Sequence, residues 1–266
     1  MDFTMIISAV LIVAGVGLII GIILAIASAV MAVPKDEKVE ALTEALPGAN
    51  CGACGYSGCE GYAKALANGE AKVGACSPGG EECANALAAI LGVEAGPVER
   101  KVALVHCMGS CDNADTKMEY QGMNSCAAAA AIHGGSSMCN FGCIGLGDCV
   151  AVCPYGAIDI CNGVAHINPE LCKGCSMCVA ACPKKIISFV SYKNQTVVRC
   201  SNTDKGALAR KACKVACIGC KKCEKLCEAE AIKVTNFKAV VDPEKCSVCN
   251  KCVSACPQGC ITIFSV

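Results

Sequence analysis

The 266-residue sequence has no tryptophan, only five phenylalanines and five tyrosines, and three histidines. So few bulky side chains are too little to fill an ordinary hydrophobic core over this length. His106, His133 and His166 make no constellation with a nucleophile or a carboxylate pair, so the sequence offers no catalytic residue. A G-x-G-x-x-G fingerprint is missing, and Gly145-Leu146-Gly147 lies among cysteines rather than between a strand and a helix. The sequence therefore carries no dinucleotide-binding signal. Net charge is also lacking: 23 basic residues balance 23 acidic ones, which removes any global signal for nucleic acid.

What the chain has in excess is cysteine, 28 residues. That density signifies either a disulfide framework in an oxidising compartment or metal ligation in a reducing one. Cysteines two or three residues apart are poorly placed to bridge one another, yet several such thiolates can converge on one metal centre. The spacing favours metal and a cytoplasmic setting. Charge is unevenly spread: residues 36–100 carry ten acidic and four basic side chains, and residues 184–225 carry eleven basic and two acidic ones. The lysines of the second stretch either offset the negative charge of cluster cores or form a docking patch for an acidic redox partner.

Residues 3–33 contain no charged side chain. This run of 31 exceeds the roughly 20 apolar residues that a membrane-crossing helix needs. A cleaved signal peptide is the competing reading, with Ala27-Ser28-Ala29 as a cleavage site, but no Lys or Arg precedes the run and it is too long for an h-region. Lys35 and Lys38 follow the run while only Asp2 precedes it, which predicts a single pass with the amino terminus outside and the remainder in the cytoplasm. Gly17 and Gly21 form a GxxxG pair on which another helix could pack.

After a short amphipathic segment with Val39, Leu42 and Leu46, ending at Pro47-Gly48, come Cys51, Cys54 and Cys59, with a fourth cysteine at Cys76. Gly52, Gly55 and Gly58 free the backbone to wrap a bulky cluster and turn amides toward its sulfurs. Four thiolates suit one [4Fe-4S] cluster, and zinc is the alternative.

Cys172, Cys175, Cys178 and Cys182-Pro183 match the bacterial ferredoxin run C-x2-C-x2-C-x3-C-P, as do Cys246, Cys249, Cys252 and Cys256-Pro257. Cys217, Cys220, Cys223 and Cys227 match it without the proline. Nine cysteines from Cys126 to Cys182 recur further along the chain at one constant offset, among them Cys126 at Cys200, Cys139 at Cys213 and Cys143 at Cys217, so the carboxyl-terminal half reads as a tandem duplication. In two-cluster ferredoxins the fourth cysteine of each run serves the other run's cluster. Cys217, Cys220 and Cys223 are then expected to pair with Cys256, Cys246, Cys249 and Cys252 with Cys227, and Cys172, Cys175 and Cys178 with Cys153. The remaining set, Cys143, Cys149 and Cys182, has Leu146 where the second copy has Cys220. Cys139 is the expected fourth ligand, with a three-iron cluster or another group as alternatives. Cys107, Cys111, Cys126, Cys200, Cys213, Cys83, Cys161 and Cys260 are left unassigned. Of these, Cys107, Cys111 and Cys126 lie close enough in sequence for a further metal site. Segments 157–160 and 186–190 read as short strands after each cysteine run.

The hydrophobic amino-terminal helix, the Cys51/Cys54/Cys59/Cys76 module, the run Cys139, Cys143, Cys149 and Cys153-Pro154, and the ferredoxin motifs together resemble the B subunits of Rnf-type ion-translocating ferredoxin:NAD oxidoreductases, over essentially the whole chain. A second ferredoxin unit makes this the long form. The resemblance implies a subunit of a translocase in the cytoplasmic membrane of a prokaryote. It would take electrons from soluble ferredoxin and relay them, with other integral and peripheral subunits, toward NAD reduction coupled to Na⁺ or H⁺ movement. Other readings are a free-standing membrane polyferredoxin and a corrinoid or carbon-monoxide-pathway iron–sulfur subunit. The expected architecture is α+β: a transmembrane anchor (1–34), a four-cysteine [4Fe-4S] module (35–100), a first ferredoxin-like domain with a cysteine-rich leader (101–190) and a second (191–266). Five clusters are expected, with room for one more.

Overall fold

The computed structural model describes residues 3–30, 36–193 and 195–265, and within the first helix the side chains of residue 7 and residues 11–27. Asp2, Val33, Pro34 and Lys35, which bear on the expected anchor, lie outside the described residues. Helix α1 (Phe3–Val30) is 28 residues long and uniformly apolar, with no amphipathic face. Its described large side chains, from Leu11 to Ile26, are all exposed. Counted on described residues alone, no helix is long and apolar enough to cross a membrane.

Three helices follow: α2 (Glu37–Glu44), α3 (Cys59–Ala67) and α4 (Gly80–Leu91). Asp36 caps α2 by accepting from the Lys38 amide at 2.9 Å, and α4 stops where Gly92 turns left-handed at φ 70°. The apolar spacing of α2 places Leu42, with Leu46 just beyond the helix, against Tyr62 and Leu66 of α3 and Leu87 of α4. Tyr62 is 1% exposed, and its hydroxyl donates to the Lys72 carbonyl at 2.8 Å and accepts from the Ala75 amide at 3.2 Å. That pair of bonds pins the loop carrying Cys76.

The rest of the chain is one pattern built twice. The first copy contains β1 (Lys101–Val105), α5 (Cys126–Ala131), α6 (Asp148–Ala151), β2 (Ile158–Cys161), β3 (Val164–Ile167), α7 (Met177–Ala181) and β4 (Ile187–Ser191). The second contains β5 (Gln195–Val198), α8 (Gly206–Ala212), α9 (Lys222–Leu226), β6 (Ile232–Thr235), β7 (Lys238–Val241), α10 (Lys251–Ala255) and β8 (Ile261–Phe264). In each copy the first and last strands pair antiparallel, β1 with β4 and β5 with β8. The middle two form a hairpin, β2 with β3 and β6 with β7. From α6 onward every element of the first copy recurs in the second at the offset of the repeated cysteines. Gly145 and Gly219 are equivalent positions at φ 81° and 63°. A Cβ there would lie 2.5 Å from the Gly163 carbonyl oxygen and 2.9 Å from that of Phe237, so only glycine lets the cysteine loop close on each hairpin turn.

The leader does not obey that offset. By strand pairing, β1 corresponds to β5, and the cysteine just after each is Cys107 or Cys200. Both sulfurs accept the same two kinds of amide. Cys107 accepts from Gly109 at 3.4 Å and Cys143 at 3.3 Å, and Cys200 from Asn202 at 3.5 Å and Cys217 at 3.3 Å. Cys107, not Cys126, is thus the counterpart of Cys200. The segment from Cys107 to Cys139 is more than twice as long as that from Cys200 to Cys213, so the first leader carries an insertion, and Cys126 lies within it. The copies meet through side-chain and amide donors to backbone carbonyls. His106 Nδ1 donates to the Val198 carbonyl at 2.7 Å, Arg199 Nε to that of Val105 at 2.8 Å, and the Lys214 amide to that of Asn113 at 2.8 Å.

Candidate iron–sulfur sites

All 28 cysteines are free of disulfides. Among the described residues no three His, Cys, Asp or Glu side chains close on one point as a single metal ion requires. Thiolates on one zinc would stand about 3.8 Å apart, given Zn–S bonds of about 2.3 Å. The thiols instead surround open spaces in groups of four, the form suited to a cubane whose irons each take one thiolate.

Three such spaces contain motif cysteines. Cys153, Cys172, Cys175 and Cys178 line one of about 310 Å³. Cys217, Cys220, Cys223 and Cys256 line one of about 340 Å³. Each space brings three cysteines of one run together with a cysteine from another part of the same copy. Local folding explains the placement: the third cysteine of each run sits within a short helix, Cys149 in α6, Cys178 in α7, Cys223 in α9 and Cys252 in α10. The fourth, in extended conformation, ends the helices at Cys182, Cys227 and Cys256. Cys227 ends α9, which packs against α10, and Cys246 and Cys249 precede α10, where they act electrostatically on Cys252. In the amino-terminal module Cys76 feels the charge of Cys51 and Cys59, and Tyr62 that of Cys54 and Cys76. Asn50 Oδ1 accepts the Cys59 amide at 2.8 Å, and a Cβ on Gly58 (φ 137°) would strike that oxygen at 2.9 Å. This is a reason for glycine there beyond wrapping the cluster.

The third motif space, about 350 Å³, is lined by Cys143, Cys149, Cys182 and Cys126. The expectation that Cys139 completes this set does not match the geometry, because Cys139 faces a different space. Cys126 opens α5, and Asp148 holds that helix end by accepting from the Cys126 amide at 2.8 Å, the Ala127 amide at 2.9 Å and the Ser125 hydroxyl at 3.1 Å. Burial alone would raise the Asp148 carboxyl, but these donors outweigh it and hold it below its ordinary value. The leader insertion therefore brings a thiol to the set that has Leu146 in place of a cysteine.

Cys139 instead shares a space of about 340 Å³ with Cys107, Cys200 and Cys213. The idea of a site from Cys107, Cys111 and Cys126 fails, since Cys107 and Cys126 line separate spaces and Cys111 is exposed. Cys161 is exposed as well. Cys83 is a buried thiol donating to the Ala45 carbonyl at 3.3 Å. Cys260 lies 3.6 Å from Cys256, and hydrogen bonding with it holds the Cys256 thiol down to about 5. The equivalent position in the first copy is Ile186.

Elsewhere burial dominates. It pushes the Cys76, Cys149, Cys200 and Cys223 thiols up to about 11 and Cys178 to about 12. Such thiols stay protonated at neutral pH unless a metal displaces the proton, which couples iron binding to completion of the fold. Neighbouring groups adjoin: the Cys143 amide donates to Cys107 at 3.3 Å and the Cys217 amide to Cys200 at 3.3 Å. Tyr155, which lines the space of Cys153, Cys172, Cys175 and Cys178, is raised chiefly by burial. Cys149 acts on Cys178, Cys107 on Cys143, and Cys217 on Cys200.

Comparison with known proteins is consistent with these groups. Residues 46–78 match the FeS family, described as an Fe-S cluster, and residues 142–186 and 216–261 each match the 4Fe-4S dicluster domain. The chain is similar to the B subunit of the Na(+)-translocating ferredoxin:NAD(+) oxidoreductase complex of Acetobacterium woodii, at 45% identity over 92% of this chain and 74% of the relative. It is similar to the B subunit of the ion-translocating oxidoreductase complex of Methanosarcina acetivorans, at 38% identity over 98% and 99%. The B subunit of the proton-translocating ferredoxin:NAD(+) oxidoreductase complex of Clostridium ljungdahlii is 38% identical over 92% of this chain and 88% of its own.

Proposed function

Because the chain belongs to the B-subunit family of ion-translocating oxidoreductase complexes, we propose that it is the electron-relaying member of such a membrane-bound complex, carrying electrons from reduced ferredoxin toward NAD reduction coupled to Na⁺ or H⁺ translocation. The observation that carries this reading is the series of four-thiol groups lining separate spaces in the two copies, with the amides of Cys143 and Cys217 donating to Cys107 and Cys200 between them. Bound [4Fe-4S] clusters supply one-electron redox chemistry at these positions. The chain's own residues do the rest: thiolates hold the iron, backbone amides donate to sulfur, and buried walls keep water away. The ligand groups are Cys51, Cys54, Cys59 and Cys76; Cys153, Cys172, Cys175 and Cys178; Cys126, Cys143, Cys149 and Cys182; Cys217, Cys220, Cys223 and Cys256; and Cys227, Cys246, Cys249 and Cys252. No bond of a substrate is broken in this subunit.

Helix α1 is the membrane anchor. At 1.5 Å per residue its 28 residues reach about 42 Å, more than the roughly 30 Å hydrocarbon core. A continuous exposed apolar surface of this size needs lipid or other subunits around it. Gly17 and Gly21 leave open space where a partner helix can approach. The lysines that follow the apolar run in sequence, Lys35 and Lys38, support a cytoplasmic side for the cluster-bearing part.

Electron entry lies at the second copy. Cys220 is exposed, and Lys221 and Lys222 stand on the rim of its site, an arrangement that attracts an acidic partner such as ferredoxin. The test is anaerobic mixing of the full chain in detergent with reduced ferredoxin, with cluster reduction followed by EPR. Rapid reduction, slowed by salt and by about tenfold in Lys221→Glu/Lys222→Glu, is expected. Failure of ferredoxin to reduce clusters that dithionite does reduce would reject the entry role.

A further inference from the structure

Cys107, Cys139, Cys200 and Cys213 lie outside the C-x2-C-x2-C-x3-C ferredoxin runs, yet they meet where the two copies join. All four are buried, at 7%, 8%, 9% and 6% exposure. The space they surround, about 340 Å³, falls within the 310–350 Å³ of the three motif-lined spaces. The copies contribute equally, because Cys107 and Cys200 each follow the first strand of a copy, and Cys139 and Cys213 each stand four residues before the first cysteine of the next run. The sulfurs are dressed with donors. Cys107 and Cys200 each accept two backbone amides at 3.3–3.5 Å, and Asn202 Nδ2 donates to Cys139 at 3.4 Å. A neutral thiol is a weak acceptor and does not need two amides, whereas a metal-bound thiolate does. Arg199 lines the same space and supplies a positive charge beside the cysteines.

We propose that these four cysteines hold a sixth [4Fe-4S] cluster, built half by each copy, which links the two ferredoxin-like units into one electron path. The proposal rests on the reading of the motif groups as cluster sites and extends it to a group that no motif announces. Its position suits a link: the amides donating to Cys107 and Cys200 belong to Cys143 and Cys217, ligands of the flanking groups. Each neighbouring site is thus one residue and one hydrogen bond away.

The test is cluster counting by native mass spectrometry on the full chain, purified anaerobically in detergent, with iron and sulfide determined on the same sample. Six clusters, roughly 24 irons at four each, are expected. Cys200→Ala/Cys213→Ala should lose one cluster, about one-sixth of the iron, while Cys111→Ala and Cys161→Ala keep all six. In the double variant, electrons supplied by ferredoxin should reduce the second copy and no longer reach the amino-terminal groups. Five clusters in the unmodified chain would overturn the proposal, and so would one zinc per chain that disappears in the double variant. If the double variant does not fold, the count on the unmodified chain still decides. Six clusters that ferredoxin does not reduce would reject the relay reading while leaving this site in place.

Discussion

Cys126→Ala tests the ligand set that the structure and the motif reading assign differently. Cys126 is one of four thiols around a space of about 350 Å³, and its removal leaves one iron of that site without a protein donor. No nearby group can replace it. Asp148 is committed to three donors at 2.8–3.1 Å on the α5 end, and Leu146 has nothing to offer. The site should fall from about four irons to about three. Against roughly 24 irons in the chain that is a loss of about 4%, within the scatter of chemical iron analysis, so the readout must be spectroscopic. EPR of the oxidised protein should show about one spin per chain of a three-iron cluster, absent from the parent. Adding Leu146→Cys restores the run found in the second copy, with Cys at the position of Cys220, and should abolish the signal. A Cys126→Ala protein without the signal, together with a Cys139→Ala protein that shows it, would refute the reasoning.

Cys260→Val removes the S–H near Cys256 and Cys217 and copies the apolar side chain of the first repeat. A hydrogen bond of about 1 kcal/mol that favours the reduced cluster corresponds to about 40 mV for one electron. The potential of that cluster should drop by this order in a redox titration; an unchanged value would mean that the thiol is only packing. Tyr62→Phe keeps the ring and loses both bonds to the Cys76 loop, at a cost of about 1–3 kcal/mol. It should release module iron to a chelator faster at lower denaturant, and an unchanged midpoint would reject the pinning role. Burial holds His106 below its ordinary value of 6.5, opposed by its bond to Val198 and aided by Lys238 and Arg199. A lowered histidine contributes stability that is complete above the unfolded value and is lost as pH falls from there through the folded value. Denaturant midpoints should therefore decline below about pH 6.5, and His106→Gln, which does not titrate, should flatten that dependence. A profile identical to the parent's would show that His106 is not the group responsible.

Local chemistry was legible in the sequence because iron–sulfur motifs concentrate their ligands within a dozen residues, and the chain needs little tertiary information to bring Cys172, Cys175 and Cys178 together. The cysteine repeat likewise predicted the paired hairpins, and residues 157–160 and 186–190 became β2 and β4 within a residue. The uncharged run of residues 3–33 similarly determined a long apolar helix, since no break of charge or proline interrupts it. Spacing failed where ligands come from far apart. Cys126 and Cys200 share the repeat offset only by coincidence, because Cys126 sits in the leader insertion, and the pairing of β1 with β4 and β5 with β8 exposed Cys107 as the true counterpart. The placement of Cys126 depends on Asp148 anchoring α5, where the second copy has Lys222, and that carboxylate is informative only once α5 is seen beside it. The meeting of Cys107 and Cys139 with Cys200 and Cys213 was decided by docking of the copies through His106, Arg199 and Lys214. A site shared by two folded units has no local signature, because its geometry exists only after both have folded and met.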